Sequence, residues 1–179
     1  MPKTIFVEGT ELFDEKSRMF IEVKPCKLII EHSLISVSKW ESKHHKMWLE
    51  EKNKTGLELL DYIRCMTINS VPETAYYALS EKNMNDILAY MDDPMTASYV
   101  YDPPNQGRGE RISSELIYYW MIQYGIPFEC EKWHINRLLM LIKICVRKAS
   151  TMSKKDRQAM DQRRAALNAQ RRAKLHTRG

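Results

Sequence analysis

Several groupings in this chain have residue types and spacings that chemistry could use. In "CEKWH", Cys130 and His134 stand four apart, one turn if helical, which would supply half of a zinc site. The adjacent His44 and His45 face different ways and do not complete it, so a core cysteine and a structural histidine are expected. Ser113-Ser114 precedes Glu115, but serine before glutamate is the pattern of a helix start, and neither G-x-S-x-G nor a cysteine-protease signature is present. "NQGRGER" has the look of a phosphate cradle. It lacks the Lys-Ser/Thr of a P-loop and follows no strand, so a turn presenting Arg108 and Arg111 is the expectation. The carboxylate pairs Glu50-Glu51 and Asp92-Asp93 are adjacent in sequence, diverge on a helix, and read as solvated helix ends. No complete catalytic set emerges, so the chain is expected not to be an enzyme and to carry no metal or cofactor.

The aromatics are the better lead. Tyr99, Tyr101, Tyr118, Tyr119 and Trp120 crowd around "DDPMTASYVYDPPNQGRGER", a 20-residue irregular stretch with three prolines and two glycines. Such residues interleaved with arginine could stack single-stranded bases, but Tyr and Trp are equally enriched in cores and protein interfaces. Long loops of this kind are usually functional or mobile. Tyr99, Tyr101, Arg108, Arg111, Tyr118, Tyr119 and Trp120 are therefore candidate partner-binding residues.

Charge separates two parts of the chain. Residues 151–179 hold nine Lys/Arg and two Asp, a net of +7, which leaves 19 basic and 21 acidic residues, a net of −2, in residues 1–150. The body offers no broad attraction to a polyanion; only the tail could. Met160, Leu167 and Leu175 are the only larger apolar residues of "DQRRAALNAQRRAKL" and its flank, spaced seven and eight apart. Alanine and arginine favour helix, but a helix with so little to bury is marginal alone. A stripe that thin suits docking on a partner, so these three join the candidate binding residues. Cys26, Cys65, Cys130 and Cys145 are far apart and form no CxxC, which fits core thiols in a reducing compartment. No apolar run reaches signal-peptide or membrane-spanning character; the longest, "INRLLMLIKICV", is broken by Asn136, Arg137 and Lys143.

The elements that must position these residues follow from periodicity. "TIFVE" and "RMFIEVKPCKLIIEH" are β-like, with a break at Lys24-Pro25 and a turn expected in "EGTELFDEKS", giving a small antiparallel hairpin or meander over about residues 1–32. Val37, Trp40, His44 and Trp48 form one helical stripe. "TGLE" at Thr55 has the form of a capping box, Pro72 suits the first turn of "PETAYYAL", and Ser80 can cap "EKNMNDILAYM". Ser113 or Ser114 caps "ELIYYWMIQY", which Gly125 closes, and "WHINRLLMLIKICVRK" is the last core helix. The expected fold is mostly α: a helical body over 1–149 with an N-terminal β element, and a basic helical or disordered extension over 150–179.

"LIIEHSLISVSKWESKHHKMWL", "TGLELLDYIRCMTIN", "GERISSELIYYWMIQYGIPFECEKWHINRLLMLIKIC" and "ALNAQRRAKLHTRG" together resemble the small tail assembly chaperones of long-tailed, siphovirus-like bacteriophages. None of these blocks is a mechanistic motif; the likeness rests on the series, which covers most of the chain. The resemblance implies a non-catalytic protein that binds the tape measure protein, keeps it soluble, and promotes polymerisation of the tail tube protein around it. It also implies action in the host cytoplasm, absence from the mature virion, and a longer form made by programmed frameshift. Tape measure protein, possible tail tube protein and self-association are the partners expected; membrane and nucleic acid are not. The 11 methionines suit an adaptable surface. Two alternatives stay open: a nucleic-acid-binding module using the basic tail, and a structural neck or head-tail connector protein of the virion.

Overall fold

The computed structural model describes residues 1–15, 17–51, 53–100, 111–151 and 154–175, without the side chains of 150, 151, 154–157, 174 and 175. Along the chain run β1 (Lys3–Val7), β2 (Thr10–Asp14), β3 (Met19–Val23), β4 (Cys26–Ile30), α1 (Leu34–His44), α2 (Gly56–Met66), α3 (Thr74–Tyr77), α4 (Glu81–Asp92), α5 (Ser114–Tyr124), a 3-10 turn (Phe128–Lys132), α6 (Ile135–Thr151) and α7 (Lys154–Leu175). The architecture is mostly helical with small N-terminal antiparallel strand pairs, as the patterning predicts.

Local caps start the helices. Ser33, Thr55, Ser80 and Ser113 sit in extended backbone and accept from the amide three residues on. At the first three, Ser36, Glu58 and Asn83 reach back to the cap's own N–H, satisfying two orphan donors each time. Gly125, at φ 65, closes α5, the left-handed position for which glycine is the usual residue. His45 closes α1 in the same conformation, at φ 54, without being glycine. The helical stripe expected to run from Val37 to Trp48 therefore stops at His44. Trp48 lies in a turn beyond it, yet its ring still meets Trp40, at 4.9 Å between centroids, and stacks on Tyr62 at 3.6 Å.

The β element also differs from expectation. Residues 8–17, read as a turn, contain β2. The four strands form one ribbon folded back on itself, in two tiers. β1 pairs with β4, with Val7 opposite Cys26; β2 pairs with β3, with Thr10 opposite Val23. Both tiers follow the same register, and the ladder lapses only at Glu8-Gly9 and Lys24-Pro25. Proline brings no N–H to a ladder. A Cβ on Gly9 would stand 3.0 Å from Pro25 Cδ, so glycine is what lets the two strands close at this crease.

The inner tier belongs to the core. Ile5, Val7, Leu28 and Ile30 are buried with Leu34, Val37 and Trp40 of α1, Tyr62, Ile63 and Met66 of α2, Ile117 and Met121 of α5, and Ile135 and Leu138 of α6. The free edge of β4 is covered by the chain after α2: Ile68 N–H donates to the Ile29 carbonyl at 2.9 Å, and Asn69 holds Ile29 and Lys27 through its amide. α6 runs to Thr151, slightly past the boundary expected at 149. No helix among the described residues is long and apolar enough to cross a membrane.

Candidate functional site

The two buried histidines of the body pack on tyrosines. His32 Nδ1 meets the Tyr62 hydroxyl at 2.6 Å, and its ring stands edge-on to His134. His134 Nε2 faces the Tyr90 carbonyl at 2.9 Å, and Tyr90 donates its hydroxyl to the Met1 carbonyl. Both histidines are buried, and burial, then the neighbouring His134, pushes His32 down to about 3; burial lowers His134 as well. Neutral imidazoles packed on tyrosines serve the core. Cys130 lies buried in the 3-10 turn, and burial raises its thiol, which disfavours the thiolate a metal site needs. Among the described residues no group of three potential ligands assembles. Glu41, also buried, accepts the Trp48 N–H at 2.9 Å and the Ser114 N–H at 2.8 Å, so it fastens the turn after α1 to the start of α5. Of the carboxylates and hydroxyls considered from sequence, Ser113 is the cap of α5.

The described candidate binding residues differ in their surroundings. Tyr101 and Arg108 lie outside the described residues, as does the side chain of Leu175. Tyr99 is 82% exposed and Arg111 is exposed. Tyr118, Tyr119 and Trp120 follow one another on α5, so they point about 100° apart around the helix. Tyr118 is half-buried, donates to Glu131 Oε2 at 3.0 Å, and is raised to about 12 by burial and then that bond. Trp120 packs against the core, while Tyr119 is exposed.

α7 meets the body along a face that includes only one residue of the apolar stripe. Met160, Arg164, Asn168 and Arg171, spaced four, four and three apart, are half-buried, whereas Leu167 is exposed. Arg164 donates to the Gln123 carbonyl at the C-terminal end of α5, where the helix dipole favours a cation, and also pairs with Asp161 at 3.1 Å. Met160 lines a shallow groove of about 380 Å³ with Tyr124, Val146 and Ala149. The helix is thus held to its own body by arginine and one methionine, leaving Arg163 and Arg172 outside.

An exposed apolar pair lies elsewhere, on the outer tier of the ribbon, which sequence reasoning passed over. Phe13 and Phe20 face each other across β2 and β3, ring centroids 5.2 Å apart, and are 55% and 69% exposed. Met19 and Ile21 are exposed as well. Alternate residues share a face of a strand, so Glu11, Phe13, Phe20 and Glu22 form one face, and all four are exposed. Of this tier only Val23, beside the crease, is buried. The available signal was the near-mirror arrangement E-L-F-D and M-F-I-E around a polar centre, which is the signature of a hairpin rather than of a turn.

A two-stranded hairpin is marginal in water unless something packs against it. Exposed paired aromatics on such an arm have the character of a partner-binding surface. In comparison with known proteins, no family model, no curated protein and no solved structure matches the chain.

Proposed function

We propose that this chain is a non-catalytic assembly chaperone of a phage tail, which binds the tape measure protein and holds it soluble until the tail tube polymerises around it. The observation that carries the reading is the outer hairpin tier, an arm that displays Phe13, Phe20, Met19 and Ile21 while contributing almost nothing to the core. A long helical protein exposes apolar faces before assembly, and a chaperone must cover them yet release them. A small aromatic surface on a narrow ribbon provides contacts strong enough to compete with aggregation and few enough to be displaced. The sequence blocks that carry the resemblance begin at Leu28, so the arm is independent support for a partner-binding role. On this reading the protein works in the host cytoplasm and is absent from the finished particle.

The test is co-expression with the tape measure protein of the same genome. A soluble complex is expected from the full chain and not from a chain lacking the outer tier. Unchanged solubility, with no complex recovered, would refute the reading. A stoichiometric band in purified particles would replace it with a neck or connector protein.

One observation favours a second reading. Arg163 and Arg172 stand exposed on α7, a helix with eight basic and two acidic residues. Binding of nucleic acid through it predicts affinity that falls steeply with salt and vanishes on truncation at residue 150. Binding that ignores salt would exclude it.

A further inference from the structure

We infer that the exposed face of the arm takes a cationic amphipathic helix: aliphatic side chains seat on Phe13 and Phe20, and lysine or arginine beside them meets Glu11 and Glu22. This rests on the reading of the chain as a binder of helical protein, and it names the chemistry of the segment recognised.

The residue pairing carries the argument. Glu11 stands directly opposite Glu22 in the β2–β3 register, and the next pair on that face, two residues on, is Phe13 with Phe20. Like charges set opposite each other on a ladder work against pairing. No charge in the fold answers it: among the described residues neither glutamate forms an ion pair, and Lys24 at the crease is bonded to neither. A local rule broken with no compensating charge among the described residues points to a requirement outside the chain. Two adjacent carboxylates beside an apolar pair present the complement of a helix whose Lys or Arg lies one turn from its Leu or Val stripe. The same glutamates repel an identical face stacked in the same direction, which would bring four carboxylates together. They equally disfavour the exposed acidic helices that a general binder of apolar surface would accept. The arm therefore selects as well as adheres, since specificity comes from rejecting wrong partners as much as from gripping right ones.

The experiment uses the full chain and two synthetic 18-residue helical peptides with the same leucine stripe, one flanked by lysine and the other by glutamate. Affinities are measured by fluorescence anisotropy at low and high salt. The lysine peptide is expected to bind about tenfold or more tightly than the glutamate peptide, with the difference shrinking at high salt. The double variant E11K/E22K should reverse the preference. F13S/F20S should weaken both peptides at least tenfold, with the thermal midpoint of the body unchanged. Equal binding of the two peptides, or a preference that survives E11K/E22K, overturns the inference. A wild-type dimer in sedimentation that F13S/F20S abolishes also overturns it, by assigning the face to a second copy. If E11K/E22K still solubilises the tape measure protein fully, this inference fails while the chaperone reading stands; if the wild type does not solubilise it, the chaperone reading fails.

Discussion

Cutting the arm off should separate folding from binding. Val7 and Cys26 are direct partners in the inner ladder, so replacing residues 8–25 with Asn-Gly joins them through a two-residue hairpin loop of the favoured kind. The loss is mainly Val23, the buried residue of the outer tier, worth about 2 kcal/mol. The gain is a connection shortened from 18 residues to two, roughly three halvings at about 0.6 kcal/mol each. These oppose and nearly cancel, so the melting midpoint should stay within about 5 °C of the parent. Binding should not survive. Phe13 and Phe20, 55% and 69% exposed, present about 250 Å² of ring surface if each ring spans about 200 Å². Burying that area is worth about 6 kcal/mol gross at about 25 cal/mol/Å². Even if ordering the interface consumes half, about 3 kcal/mol remains, a loss of affinity on the order of 100-fold. The assays are thermal unfolding of the excised chain and pull-down of co-expressed tape measure protein. A midpoint more than 10 °C lower would make the arm a structural part. An undiminished complex from a well-folded excised chain would show that the partner grips another surface.

The remaining predictions concern the body that holds the arm. Glu41→Ala leaves the Trp48 and Ser114 amides buried without an acceptor and should cost about 4 kcal/mol, with Glu41→Gln costing about half; a urea-unfolding difference under 1 kcal/mol for the alanine variant would contradict this. His32 and His134 are held neutral in the fold, while in the unfolded chain they take protons below about pH 6.5. Stability is thus fully present above that value and is lost as pH falls below it, toward about 3 for His32, by up to about 1.4 kcal/mol per pH unit, with His134 adding to the loss in the same direction. Urea midpoints compared at pH 7.5 and 5 read this above the range where carboxylates dominate, and a flat profile would refute it. Arg164→Ala removes the bond to the Gln123 carbonyl and should speed tryptic cleavage within α7 several-fold while leaving the body's melting midpoint within about 2 °C; unchanged cleavage would mean the arginine does not hold the helix.

Helix starts were legible in this sequence because capping is local. Thr55 with Glu58 and Ser80 with Asn83 each decide a start from residues within one turn, and nothing distant overrides them. The end of α1 was not legible. His45 takes a left-handed conformation that glycine usually signals, so the Trp40–His44–Trp48 spacing passed for continuous helix. What brings Trp48 back to Trp40 is the grip of Glu41 on its amide, a contact that periodicity does not encode. The arm was hidden for another reason. The polar residues around Leu12 and Phe13 make residues 8–17 look like a turn, so Phe13 has no evident cross-strand partner until β2 is seen paired with β3, and only the three-dimensional arrangement shows that the core ends at the crease. The body-facing side of α7 was not legible either: the body offers α7 the carbonyl end of α5, which Arg164 satisfies, and nothing in the spacing of Met160 and Leu167 encodes that contact.

The shared register of the two tiers has a consequence for how such an arm can vary in length. Because β2–β3 continues the count of β1–β4 across the crease, residues can be added or removed in matched pairs without disturbing the inner ladder. One residue added to each strand moves the tip outward by about 3.4 Å but turns Phe13 and Phe20 to the opposite face. Two added to each strand restore the face and extend the reach by about 7 Å. Reach is therefore quantised: an arm that keeps its aromatic side toward the same partner can lengthen only in even steps per strand, and chains of this architecture should differ there by multiples of four residues.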